Sequence, residues 1–388
     1  MRVQFDLTHP AHVHLFKNAI RTLVSEGHNV AVTARNKEVT TDLLDAYGID
    51  HTVLSTKGTT TAGLVAEWSL REVRTLRYMR KFDPDVVVSR ALPSAVHAAA
   101  LTGTTSVVVT DTEYTWKIAK LIAPFVSYWC TSEHFSREFG SNHRRFKGFD
   151  ELAYLHPNRF APEADRLRQQ GVNPDEPYFV LRFVSMGAHH DVGRAGVSPA
   201  AKRRLVEALS EHGTVYISSE RSLPADLEAY AVPTDPSDIH HLLAFARLCV
   251  GDSETMATEA ALLGTPTIRV NSHADDQQLG VFVTLEDRGL VESIADENEA
   301  QNRAIELATA PDAHEQWADR RERLLDESID LTEYLLEIIK EAAEDSTESE
   351  RSRSVTESSE PVLASSDQPT SGQSPSDQPP SNHSASDQ

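Results

Sequence analysis

Residues 251–266 read Gly251-Asp252-Ser253-Glu254-Thr255-Met256-Ala257-Thr258-Glu259-Ala260-Ala261-Leu262-Leu263-Gly264-Thr265-Pro266. The apolar run 248–250 before them predicts a strand, 255–263 a helix, and 267–270 beyond the Gly-Thr-Pro stop a further strand. A small polar turn between strand and helix leaves the first N–H groups of the helix without intrahelical acceptors, and the helix dipole adds positive potential there. Such a terminus binds anions. A carboxylate further along the helix, Glu259, is then placed to take a ribose hydroxyl. The combination points to a nucleotide diphosphate as ligand.

Outward from this stretch, strand and helix signals alternate. Short apolar runs at 3–7, 29–33, 53–54, 86–89, 106–110 and 128–131 predict strands. Stretches at 13–26, 40–47, 63–82, 93–101, 117–122 and 132–139 fall between or after them as helices. A polar, proline-bearing connection at 156–177 interrupts the pattern. Alternation then restarts, with strands at 178–183, 214–218, 248–250 and 267–270. The intervening helices are at 199–211, 239–246, 255–263 and about 276–287, followed by a charged helical region at 315–343. The expectation is an α/β protein of two Rossmann-like, doubly wound domains, 1–155 and 178–343, facing each other across a cleft. From about residue 345 Ser, Glu, Gln and Pro dominate, and Ser-Asp-Gln recurs at Ser366, Ser376 and Ser386. Such a segment buries too little apolar surface to offset chain entropy, so a disordered acidic tail is expected over 344–388.

The 388 residues carry 59 acidic against 37 basic side chains, a formal charge of -22. Only 9 of the basic residues are Lys. That balance argues against nucleic acid as partner, because phosphate binding needs a basic face. It also fits the acidic surfaces of salt-loving archaea. Cys130 and Cys249 each lie in an apolar segment and read as buried thiols rather than a disulfide. No secretory leader is visible, and no run approaches the roughly 20 apolar residues of a membrane span. A cytoplasmic protein is expected, with peripheral contact at the cytoplasmic face of a membrane left open, although no strongly apolar surface helix stands out in the sequence.

The loop after the first strand is Thr8-His9-Pro10-Ala11-His12-Val13-His14. Imidazole near its ordinary pKa is the natural general base at neutral pH, so His12, or else His14 or His9, is the candidate catalytic residue. Helix capping accounts for at least one of the three. A zinc site would need a second cluster with ligand spacing, and none is present. Asp111 and Glu113 end another strand and are placed to orient a loop histidine or to cap a helix. In the second half, Arg182 and Ser185 follow a strand, and His189 and His190 sit in the same loop. Asp276 and Gln277 follow the strand at 267–270.

Pro10-Ala11-His12, followed by Gly27-His28 and the strand 29–33, resembles the opening of GT-B glycosyltransferases. The 251–266 segment resembles the donor-nucleotide motif of that fold. The whole body, over roughly residues 1–335, is similar to the mostly archaeal family called domain of unknown function 354. The similarity lies at the Pro-Ala-His-Val-His opening, at Gly148-Phe149-Asp150-Glu151-Leu152-Ala153-Tyr154-Leu155-His156-Pro157 and at Leu181-Arg182-Phe183-Val184-Ser185. The resemblance implies a diphosphate lined by Ser253, Glu254, Thr255 and Met256 and contacted by Arg182 or Ser185, and a ribose held by Glu259. Donor-sugar contacts would come from Asp276, Gln277, His189 and His190. It implies no cofactor beyond the nucleotide-sugar co-substrate, with UDP favoured by analogy, and a glycan or lipid-linked acceptor. No Asp-Xaa-Asp motif ends a strand, so a metal-independent inverting transfer is expected. Two rivals remain open: a non-hydrolysing nucleotide-sugar 2-epimerase, and a non-catalytic nucleotide-sugar-binding subunit.

Overall fold

The computed structural model describes residues 1–58, 60–111, 116–183, 197–219, 222–270 and 280–357, with side chains to residue 347. The first half runs β1 (Arg2–Leu7), α1 (Pro10–Ser25), β2 (Asn29–Asn36), α2 (Thr40–Ala46), β3 (Thr52–Thr56), α3 (Thr61–Phe82) and β4 (Val86–Ser89). It continues with α4 (Pro93–Thr102), β5 (Thr105–Val109), α5 (Trp116–Ile122), β6 (Tyr128–Ser132), β7 (His143–Phe146) and α6 (Leu152–Leu155). The second half runs α7 (Ala164–Gln169), β8 (Tyr178–Phe183), α8 (Pro199–Ser210), β9 (Thr214–Ser219), α9 (Ile239–Phe245), β10 (Leu248–Gly251) and α10 (Glu254–Leu263). It ends with β11 (Thr267–Val270), α11 (Gly280–Asp287), β12 (Glu292–Ile294), α12 (Glu297–Thr309), α13 (Ala313–Leu325) and α14 (Leu331–Glu357).

The first seven strands form one sheet in the order β3-β2-β1-β4-β5-β6-β7, and the last five another in the order β12-β11-β10-β8-β9. Every strand pairing is parallel. Helices cover both faces, so central strands such as Val86–Ser89 are buried along their length and built from β-branched residues. The order reverses between β1 and β4 in the first sheet and between β8 and β10 in the second. Open α/β sheets bind ligands at the carboxyl ends of the strands at such a reversal. The turns that follow β1, β4 and β10 begin at Thr8, Arg90 and Asp252.

The sequence pattern and the structure part company in several places, α7 within the connection 156–177 among them. Residues 132–139, read as a helix, form the end of β6 and irregular turns, and the short strand β7 follows them. The helical region 315–343 is broken into α13 and α14 by a turn at 326–330. β12 and α12 were not anticipated. The helix α14 also continues through 344–357, where composition predicted disorder. Its buried Leu335, Ile338, Ile339, Ala342 and Ala343 form a helical stripe that ends where the acidic region begins. Residues 358–388 lie outside the described part. The cysteines are free and buried, as read.

The segment from Gly148 to Leu155 is buried throughout. It wedges between the two sheets' layers. Ala153 O accepts from Asn18 Nδ2 on α1 and from Thr332 Oγ1 at the start of α14. Gly280, opening α11, lies so close to the His134 carbonyl that a Cβ would sit 1.8 Å from its oxygen.

Candidate functional site

At the first reversal, three histidines come from one turn, but the fold gives them separate duties. His9 is the N-cap of α1, its Nδ1 accepting from Ala11 N–H at 3.2 Å. Its Nε2 stands 3.7 Å from Glu38. Burial and then Lys37 lower its pKa to about 4. His14, one turn on, is buried away from the turn, with Nδ1 3.2 Å from Tyr47 Oη and its ring edge-on to His240 at 4.6 Å. Only His12 stays at the strand end. Its Nδ1 accepts from Thr8 N–H at 3.2 Å. A backbone N–H can only donate, so the neutral ring carries its proton on Nε2. Burial first, and Arg90 second, hold His12 far below the usual imidazole pKa. The ring is therefore neutral at pH 7 and presents a donor, as a polarising group does, rather than a free basic nitrogen.

Arg90, directly after β4, reaches the same strand ends. Its guanidinium bridges Asp111, after β5, and Asp150, in the wedge. The Asp150 side chain is 5% exposed and that of Asp111 25%. Burial, and next the neighbouring Asp111, raise Asp150 to about 7 against the opposing pull of Arg90. Two carboxyls gathered on one guanidinium disfavour each other's ionised form, so the pair with its arginine is suited to holding a proton near neutral pH. Glu151 beside it is pushed well up, by burial above all and then by Asp111 and Asp150.

At the second reversal, Ser253 caps α10, its Oγ accepting from Met256 N–H at 3.4 Å. Glu254 and Thr255 form the first turn. Gly251 is forced by close strand pairing, since a Cβ there would lie 2.1 Å from Arg182 O. The same carbonyl accepts from Asp252 N–H at 3.1 Å. Arg182 itself, at the end of β8, donates through Nη1 to Ser218 Oγ at 3.1 Å. Glu259 lies on the buried face of α10, where Oε1 accepts from Tyr154 Oη at 2.8 Å and meets His240 Nε2 at 3.0 Å. Its carboxylate thus joins the buried segment 148–155 to α9. Ser185, His189, His190, Asp276, Gln277 and Glu113 lie outside the described residues.

The sequence reading passed over Arg90, Asp150, Tyr154 and His240. Arg90 could have been found, because it directly follows an apolar strand. Asp150 and Tyr154 belong to a motif noted only for its resemblance. Among the described residues, no three His, Cys, Asp or Glu side chains converge as a metal site. No helix there is long and apolar enough to cross a membrane.

The same architecture recurs in solved structures. The UDP-GlcNAc 2-epimerase of Neisseria meningitidis, bound to UDP-GlcNAc, superposes with a TM-score of 0.61 at 13% identity, covering 88% of this chain and 99% of that one. The glycosyltransferase VinC in complex with dTDP gives 0.56 at 14% identity, over 89% and 100%. MurG of Acinetobacter baumannii gives 0.53 at 16%, over 88% and 100%. The fold is thus GT-B. In sequence, an uncharacterized protein of Methanocaldococcus jannaschii is 23% identical over 275 residues, 69% of this chain and 80% of that protein. The model of the family described as "Protein of unknown function (DUF354)" matches residues 1–344, and the chain belongs to that family.

Proposed function

We propose that this protein is a glycosyltransferase that moves a sugar from a nucleotide-diphosphate donor to a hydroxyl acceptor. The observation that supports it is the pairing of two differently equipped strand-end sites. The second sheet offers a capped helix N-terminus, suited to a diphosphate leaving group, with Arg182 on the adjacent strand. The first offers His12 as a neutral donor beside the Arg90-bridged carboxyls. In this reading Asp111, the more exposed carboxyl, takes the acceptor proton while Asp150 shares the charge, and His12 polarises or positions the reacting oxygen. The base is thereby moved from the histidine to the carboxyl pair, because the Nδ1 lone pair of His12 is already occupied. Asp276, Gln277, His189 and His190 remain proposed sugar contacts, and uridine the proposed base.

A second reading, nucleotide-sugar 2-epimerisation, draws support from the same carboxyls, since elimination and re-addition need acid and base groups. Thermal-shift titration with UDP-, GDP-, dTDP- and CDP-sugars tests both. The responding donor, incubated alone, gives an epimer under the second reading. Under the first it is stable until an acceptor is added. No response to any of them would overturn both readings.

A further inference from the structure

We propose that the outward face of α3, with the adjoining ends of α4 and α5 and the turn Ala123–Phe125, is a docking surface for an anionic membrane. Among the described residues, nine large apolar side chains are exposed, and seven belong to these elements. On α3, Val65 is 64% exposed, and Trp68, Leu70 and Val73 are each nearly half exposed. Leu101, Leu121 and Phe125 lie beside them at greater or similar exposure. The elements share one face: His97 on α4 stands 3.5 Å from Glu72 of α3 and packs edge-on against Phe125 at 5.9 Å. The opposite side of α3 is used. Arg71, Thr75 and Met79 face the sheet, and Arg71 pairs with Asp6 at 2.5 Å. Leu70 and Val73 point away from this row, whereas Trp68 continues it toward the exposed start of the helix.

Charge identifies the occupant. In a chain with 59 acidic and 37 basic residues, α3 carries Arg74, Arg77, Arg80 and Lys81, all exposed. Of its two carboxylates, one turns away from this face and the other is paired on it. Glu67 is turned under the helix onto Arg35 at 2.6 Å, with Ser55 and Gly58, and Glu72 meets His97. The face thus presents aliphatic side chains in its first half and exposed cations in its second. That combination suits the interface of a bilayer, where apolar groups enter the acyl boundary and Arg and Lys meet lipid phosphates. The helix begins at the sheet end that also carries the turns after β1 and β4, so its apolar half borders the first strand-end site. If the transferase reading holds, on which this clause alone rests, the acceptor is lipid-linked and enters from that rim.

Flotation of the full chain tests the surface, using vesicles of phosphatidylcholine with phosphatidylglycerol against phosphatidylcholine alone. The protein is expected to float with the anionic vesicles, less so as salt rises, and Trp68 emission to shift to the blue. The paired variants Trp68→Ser with Leu70→Ser, and Arg77→Gln with Arg80→Gln, should each lower flotation about tenfold or more while leaving the melting temperature unchanged. Equal flotation on both vesicle types, or none, overturns the proposal. So does a wild-type dimer that Trp68→Ser with Leu70→Ser converts to a monomer, since the face would then be a contact between copies. Vesicle binding without any nucleotide-sugar thermal shift keeps this surface and rejects the transferase. A nucleotide-sugar shift without vesicle binding does the reverse.

Discussion

His14 and Asp150 carry opposite signatures in acid. His14 is 6% exposed and held well below its ordinary pKa, by burial first and then by His240. Between its unfolded value near 6.5 and its lower folded value, the unfolded chain binds a proton that the folded chain refuses. Stability from this group is therefore present above pH 6.5 and lost as pH falls. Asp150, raised to about 7, binds its proton more tightly when folded. Its contribution is full below about 4 and lost as pH rises through about 7. Urea unfolding at pH 7 and pH 5 separates them. His14→Asn should start less stable yet lose less on acidification, by up to about 1.4 kcal/mol per pH unit. Asp150→Asn should steepen the acid loss. An unchanged slope in both variants would contradict the burial of these groups. The sequence supplied the residue types in the His9–His14 turn, but burial decides their chemistry, and burial depends on side chains more than a hundred residues away.

At the scale of elements, α10 was legible almost to the residue. Ser253 caps it, Glu254 favours the dipole, and Gly264, at φ +83, ends it. Periodicity sufficed because every signal there is local. It failed at 132–139, where Phe135 and Phe139 look like one helix face. Phe139 instead stacks on Trp129 at 3.9 Å, a contact that only the folded sheet supplies. The legibility of α10 yields a test that separates capping from ligand binding. Ser253→Ala removes the cap and should cost about 1 kcal/mol in denaturant unfolding. Ser253→Asp keeps an acceptor for the Met256 N–H and adds a charge that the dipole favours, so stability should hold within about 0.5 kcal/mol. The same charge stands where a diphosphate would bind, and nucleotide-sugar affinity should drop at least tenfold by calorimetry. If Ser253→Asp binds as tightly as the parent, the ligand does not use this helix end.

Over the whole molecule, sequence order and spatial order diverge at the last helix. Position in the chain grouped 331–343 with the second sheet, because nothing in a local pattern reveals which layer a terminal helix will cover. The observed contacts of α14 run to the first half. Tyr334 packs on Phe146 at 5.8 Å, Lys340 pairs with Glu26 at 3.0 Å, Arg144 meets Glu341 at 3.3 Å, and Tyr128 Oη bonds to Asp345. The chain therefore crosses between the layers twice, once through the buried wedge at Gly148–Leu155 and once on the way back. Its largest hydrophobic cluster draws on both sheets, with members from Val3 to Ala343, beside three smaller clusters. Such a core couples the layers, so global unfolding should be one transition, while local opening should report which layer each element braces. Ile339 is fully buried on α14, and Ile339→Ala should cost about 2–5 kcal/mol. In amide exchange the protection lost below the global limit should fall on β6 and β7, where α14 rests, and spare β10 and β11. Loss centred on β10 and β11 instead would return α14 to the second sheet and break the crossing that ties the two strand-end sites into one body.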